Sequence, residues 1–273
     1  MFAKLLKYEW KANVGILSLL SGCALGLGCI SAIILRLITG NWDAIIENDT
    51  SILLLIPSFF FLFIAYLGIV LYAACVQYIL LYRFYKSRFT DEGYLMFTLP
   101  VKTSHLFLSS AVHIMIWSVI SLLVIATSLG IAIGLGPVWP EDVKEGIKTA
   151  FTDMPAGFGE IFGSGYLLTG LFAIIVMWLY GVVAPMSAVV LGASIAKKHK
   201  ILAIIGILIG LSTITGTANG IISGLTQFIV FASENIQLIT TITPLLSCIV
   251  PLGFTIGGYF LSIHIIKRRL NLP

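Results

Sequence analysis

Charge is so thinly spread through this chain that no water-soluble core is available to it. Apolar runs cover residues 14–38, 51–81, 106–133, 166–195 and 241–266, and another opens at Ile201. A helix crosses the hydrocarbon of a bilayer with about 20 apolar residues, and the complete runs all exceed that length. Soluble domains carry about 25% charged residues, whereas here 10% are charged and 59% hydrophobic. The expectation is an all-α polytopic membrane protein. Residues 1–273 would form a single transmembrane domain, with spans at about 14–38, 51–81, 106–133, 166–195, 201–222 and 241–266.

The connectors orient these spans. Of the 16 Lys and Arg residues, only Arg36, Lys144 and Lys148 fall on one side of the expected topology. The others share the side that holds both termini, the 82–105 connector and the turn at Lys197, Lys198 and Lys200. Only Glu9, Asp91 and Glu92 among the acids join them. Cytoplasmic loops carry the excess of basic residues, so both termini are expected in the cytoplasm. The net charge of +4 follows from this topology and does not call for nucleic acid.

Before the first span, residues 1–13 set Phe2, Leu5, Leu6 and Trp10 against Lys4, Lys7, Glu9 and Lys11. This is the pattern of a basic amphipathic helix lying in the membrane interface. Leu20, Ser21, Gly22 and Cys23 imitate a lipoprotein signal, but the apolar run continues past Cys23, which favours a retained span over a cleaved one. Cys23, Cys29, Cys75 and Cys248 all lie in apolar runs without metal-ligand spacing, so neither a disulfide framework nor a metal site is expected.

Two regions are ambiguous on sequence. Residues 134–162 form a polar extracellular connector, with a short helix expected over 142–151. Residues 212–220 are small and polar, so the fifth span either continues to about Ala232 or breaks near Asn219, leaving 221–232 as a re-entrant segment. Pro185 predicts a kink in the fourth span.

Chemistry is sparse. No GxxxxGK[ST] loop is present, no metal-ligand cluster stands out, and no catalytic residue is assigned. The chain is read as a non-enzyme that binds no cofactor of its own. His113 is the one ionisable side chain well inside a span, and a hydrogen bond to a neighbouring helix is preferred to a transport role. Phe59, Phe63 and Tyr66 recur at helical spacing. They are candidates for a hydrophobic cargo path, though packing or lipid contact produces the same pattern.

The 82–110 stretch is the most structured polar island. Arg83, Lys86 and Arg88 close the second span with positive charge. Thr90 is a candidate N-cap, Asp91 and Glu92 suit a first helical turn, and Pro100 biases Leu99 out of the helix. A helix over 90–99 would set Tyr94 and Phe97, and Leu95 and Leu99, on one face. Thr103 or Ser104 is expected to cap the next span.

The run RFYKSRFTDEGYLMFTLPV resembles the first cytoplasmic loop of bacterial ABC transporter permeases of the type-2 exporter family, especially those of Gram-positive bacteria. The opening FAKLLKYEWKA is similar to that family's elbow helix. The resemblance implies a type V ABC exporter-like fold in the bacterial cytoplasmic membrane, with the 90–99 segment as its coupling helix. Implied partners are a second permease chain, identical or different, and a cytoplasmic ATPase subunit that holds ATP and Mg. Arg83, Lys86, Asp91, Glu92, Gly93, Tyr94, Leu95, Phe97 and Pro100 would form the ATPase contact. The cargo would be amphiphilic or hydrophobic: a peptide, lipid or drug. A channel or carrier of another class, and a non-transporting sensor or scaffold, are the alternatives on the residues alone.

Overall fold

The computed structural model describes residues 2–40, 49–90, 93, 102–138, 144–146, 148–149, 152, 163–196, 198–233 and 236–268. Six long helices carry the described chain: α1 (Phe2–Gly40), α2 (Asp49–Phe89), α3 (Thr103–Leu135), α4 (Gly163–Ile195), α5 (Lys200–Ser233) and α6 (Ile236–Arg268). Each contains a segment long and apolar enough to cross a membrane. The expected all-helical, multi-pass architecture is therefore present.

The helices overrun the expected spans. At 41 residues, α2 is roughly 60 Å long, about twice the hydrocarbon thickness of a bilayer. Pro57, Pro185, Pro244 and Pro251 lie inside helices without ending them. Membrane helices tolerate proline because neighbours and side-chain hydroxyls satisfy the freed backbone groups.

One sequence expectation needs correction, and one ambiguity is decided. Residues 1–13 are not a separate interfacial helix, because α1 runs unbroken from Phe2 to Gly40. Asn13, at the expected boundary, is 4% exposed and donates from Nδ2 to His113 Nε2 at 3.0 Å. The side chain that looked like a boundary is held in the packing. Of the two alternatives for the fifth span the continuous one is observed, with 221–232 as the end of the unbroken α5. Thr215, Thr217 and Thr226 donate to the carbonyls of Leu211, Thr213 and Ile222 one turn back, and Thr213 does the same to Ile209. Hydroxyls bonded within their own helix need no break.

The described chain divides into two compact units. The first comprises residues 3–80 and 112–152. A stripe of Leu62, Ala65, Ile69, Tyr72 and Val76 supplies the buried face of α2. Ser21 and Tyr72 share a hydroxyl–hydroxyl bond of 2.8 Å between α1 and α2. Between α1 and α3, Ser128 Oγ donates to the Ala24 carbonyl at 3.1 Å. A Cβ on Gly28 would lie 2.7 Å from the Ser128 carbonyl oxygen, so only glycine permits this approach of two backbones. Trp10 stacks on Trp117 at 5.2 Å and meets His113 edge-on at 6.0 Å. His113 thus has the helix-to-helix bond expected of it. The described connector residues 144–146, 148–149 and 152 are helical and exposed.

The second unit comprises residues 1–2, 81–111 and 153–273. Here α4 packs against both α5 and α6. Half of the α4 hydropathy window is buried, against 11% for α5, which makes α4 the central helix. A Cβ on Gly192 would meet the Ile204 backbone nitrogen at 2.7 Å, so α4 and α5 also approach closely beside their turn. Tyr180 and Thr215 bridge the same two helices at 2.7 Å.

Candidate functional site

The candidate site is the base of the 82–110 connector together with the helices it is fastened to. Arg83 and Lys86 are exposed at the end of α2, as expected for solvent-side charges. Arg88 is not: it is 3% exposed. Its Nη2 donates to the Leu106 carbonyl at 3.2 Å and to Ser110 Oγ at 3.0 Å. A buried charge is tolerated only when hydrogen-bonded or paired, and charge-assisted bonds are among the stronger ones in proteins. The guanidinium therefore ties the end of α2 to the start of α3 across the connector. Arg88 is accordingly a strut between helices and not a surface charge.

The described loop residues continue this arrangement. Thr90 Oγ1 donates back to the Lys86 carbonyl at 2.5 Å, and its own carbonyl accepts from the Gly93 N–H at 2.7 Å. Gly93 is buried, and a Cβ there would lie 2.5 Å from the Arg88 carbonyl oxygen. The chain thus folds back onto the strut residue at a position that only glycine allows. Asp91, Glu92, Tyr94, Leu95, Phe97 and Pro100 lie outside the described residues. On the far side, α3 begins at Thr103, and the Lys102 carbonyl accepts from the N–H groups of His105 and Leu106. The helix therefore starts earlier than a Thr103 or Ser104 cap would place it.

An aromatic chain runs from this base into the C-terminal helices. Phe84 meets Phe89 edge-on at 5.9 Å and Phe107 at 6.1 Å, and Phe107 meets Tyr259 of α6 at 5.7 Å. Phe107 is 1% exposed. Edge-to-face pairs at such spacing add about 0.5–1.5 kcal/mol beyond burial. Displacement of the connector base is therefore resisted by contact with α6.

The same helix borders a cavity of about 540 Å³. Ala184, Ser187 and Leu191 line it from α4, Leu211 from α5, and Ile249, Phe254 and Leu261 from α6. Gly253 and Gly257 leave bare helix backbone in its wall, with no atom within 4 Å of where a Cβ would stand. Among the described residues, no ionisable side chain lines it. A second pocket, of about 330 Å³, is bounded by Tyr85, Lys198, His199, Lys200, Ile201 and Leu202.

Phe59 and Phe63 are 57% and 65% exposed and point away from the buried stripe of α2, while Tyr66 is half-buried. The residues around the 540 Å³ cavity are different ones. Among the described residues, no three His, Cys, Asp or Glu side chains cluster as metal ligands would. Sequence reasoning missed the Arg88 strut and the α4–α6 cavity. The signal for the strut was the Ser109–Ser110 pair inside an otherwise apolar run, which marks a polar partner arriving from elsewhere. Comparison with family models, curated proteins and solved structures finds no match.

Proposed function

We propose that this chain is the membrane-spanning permease subunit of an ATP-driven exporter of the ABC type. It would pair with a second permease chain and take its energy from a separate cytoplasmic ATPase. The observation that carries the reading is the buried Arg88 strut. A connector that only joined two spans has no need of a desolvated guanidinium at its base. A connector that must transmit force does, because a loose hinge there would dissipate the displacement.

In this reading Tyr94, Leu95 and Phe97 enter a cleft on the ATPase, and Asp91 and Glu92 favour the helix start there. Exposed Arg83 and Lys86 flank the contact. Force applied to the connector passes through Arg88 to α3, and through Phe107 and Tyr259 to α6, which borders the apolar cavity. The connector sequence RFTDEGYLMFTLPV and the positive-inside charge pattern support the same assignment. In this reading the connector and both termini lie in the cytoplasm of a bacterium.

The experiment is purification of the native complex from its membrane, followed by Tyr94→Ala. An ATPase subunit should co-purify with the wild-type chain. Truncating a buried aromatic anchor typically costs about 2 kcal/mol or more of interface energy, so the variant should lose the ATPase or uncouple its hydrolysis while its spans insert normally. A chain that never co-purifies with an ATPase, or a Tyr94→Ala complex with wild-type association and hydrolysis, would overturn the assignment. Gly93→Val is the poorer probe, because its side chain would collide with the Arg88 carbonyl and disturb the loop base directly.

A further inference from the structure

Two features of the C-terminal unit have no role in transmitting force: the basic pocket at the α4–α5 turn and the elongated apolar cavity beside α6. Along α6 the cavity wall extends from Ile249 to Leu261, a rise of roughly 18 Å. One leaflet of hydrocarbon is about 15 Å deep, half the thickness of the core. On α4 the wall reaches Leu191, about one turn before the helix ends at Ile195. On α4 the cavity wall thus comes within about one helical turn of the Lys198 turn, and along α6 it spans about the depth of a leaflet.

Chemistry narrows the occupant. The only hydroxyl among the described wall residues, on Ser187, already donates to the Ala184 carbonyl at 2.7 Å. A peptide or sugar would have to bury polar groups there without partners, whereas a hydrocarbon chain would not. At the turn, Lys198 and His199 are exposed and Lys200 is half-buried around the second pocket. Clustered lysines at a membrane surface attract anionic headgroups.

We propose that this unit binds a phosphate-headed acyl amphiphile of the leaflet on the Lys198 side. Its headgroup lies against Lys198 and Lys200, and one acyl chain lies along Gly253 and Gly257. The complementary charge and the leaflet-length cavity together select this ligand. An uncharged hydrocarbon would make no use of the lysines, and a soluble anion would make no use of the cavity. As a cargo site this rests on the export reading above; as a binding site it does not.

The full-length protein would be placed in nanodiscs of phosphatidylcholine containing a minor fraction of phosphatidylglycerol. Lipids retained after release into detergent would be counted by native mass spectrometry, with no ATPase present. The wild type should retain phosphatidylglycerol in preference to phosphatidylcholine. The double variant Lys198→Gln, Lys200→Gln should lose that preference several-fold while still retaining lipid. Gly253→Leu fills open space and should reduce retention of both lipids, with Gly257→Leu repeating the test should the first variant fold poorly. Retention of phosphatidylglycerol at wild-type levels by both the lysine and the glycine variants would overturn the site. In the complete complex, ATP-driven transfer of labelled phosphatidylglycerol between leaflets would identify the ligand as cargo, and retention without transfer would identify it as a resident lipid. Loss of transfer with lipid retention intact would count against the export reading alone.

Discussion

In the unit built on α1, an amide and an imidazole hold each other: Asn13 on α1 and His113 on α3, 3.0 Å apart and flanked by Trp10 and Trp117. In the unit built on α4, a guanidinium holds a connector: Arg88 reaches the Leu106 carbonyl and the Ser110 hydroxyl. Both bury a polar group, but only the second closes a loop. The amide–imidazole pair fixes how two helices pack. The guanidinium fixes where a connector starts and ends, which is the property a force-bearing element requires.

The sharpest way to separate packing from polar locking is to test a contact with no polar group at stake. Gly28→Ala would push a methyl against the Ser128 backbone. Overpacking of this kind costs about 1–3 kcal/mol, and the unyielding backbone places this case near the top of that range. Gly22, with nothing near its Cβ position, should accept alanine without loss, because alanine favours the helix by about 1 kcal/mol. Equilibrium unfolding in mixed detergent micelles would measure both. Equal stability of the two variants would remove the tight α1–α3 crossing.

Next in size is Arg88→Ala. Hydrogen bonds to charged groups contribute about 1.5–3 kcal/mol, so a loss of about 2 kcal/mol is expected, together with uncoupled hydrolysis in the complete complex. Arg88→Lys keeps the charge but not the forked donor geometry, and it should recover part of the stability. If Arg88→Ala left both stability and coupling unchanged, the distinction between the two locks would fail.

Asn13→Ala should cost less, about 1 kcal/mol, and should leave ATPase association unaltered. A coupling defect there would mean that the amide–imidazole lock also bears force. The smallest effect is expected from Phe63→Ala. With the ring 65% exposed, stability should change by no more than about 0.5 kcal/mol. Altered transport per folded complex would restore Phe63 to the cargo path; unchanged transport would leave it a lipid-facing ring.

Several of these positions also mark what can be read from the sequence. Phe63 and the other apolar residues reveal the spans directly, because the bilayer imposes length and composition on every crossing segment. The role of His113 was legible because a lone imidazole in an apolar run needs a partner on another helix. Its partner was not, since Asn13 looked like the end of an interfacial helix. The burial of Arg88 was not legible for a related reason: three basic residues in a row of six look alike in sequence, and only the fold shows that one of them turns inward. The small polar stretch at 212–220 left a break near Asn219 open as one of two alternatives, because the one-letter pattern does not record that the hydroxyls of Ser212, Thr213, Thr215 and Thr217 bond within their own helix. The connector's outer residues remain a sequence reading, resting on Asp91 to Pro100 themselves.

The Asn13–His113 bond has a consequence for how the chain is made. Its two halves are separated by 100 residues, and ribosomes extend chains at about 5–20 residues per second. Once α1 has left the translocon, its Asn13 amide waits roughly 5–20 s for α3 to be synthesised. Arg88 waits only for Ser110, 22 residues later, or about 1–4 s. During the longer interval α1 must either stay beside the insertion machinery or draw water to its amide. Biogenesis of this protein is therefore most exposed at its first helix, and a slowed ribosome between α2 and α3 would prolong that exposure.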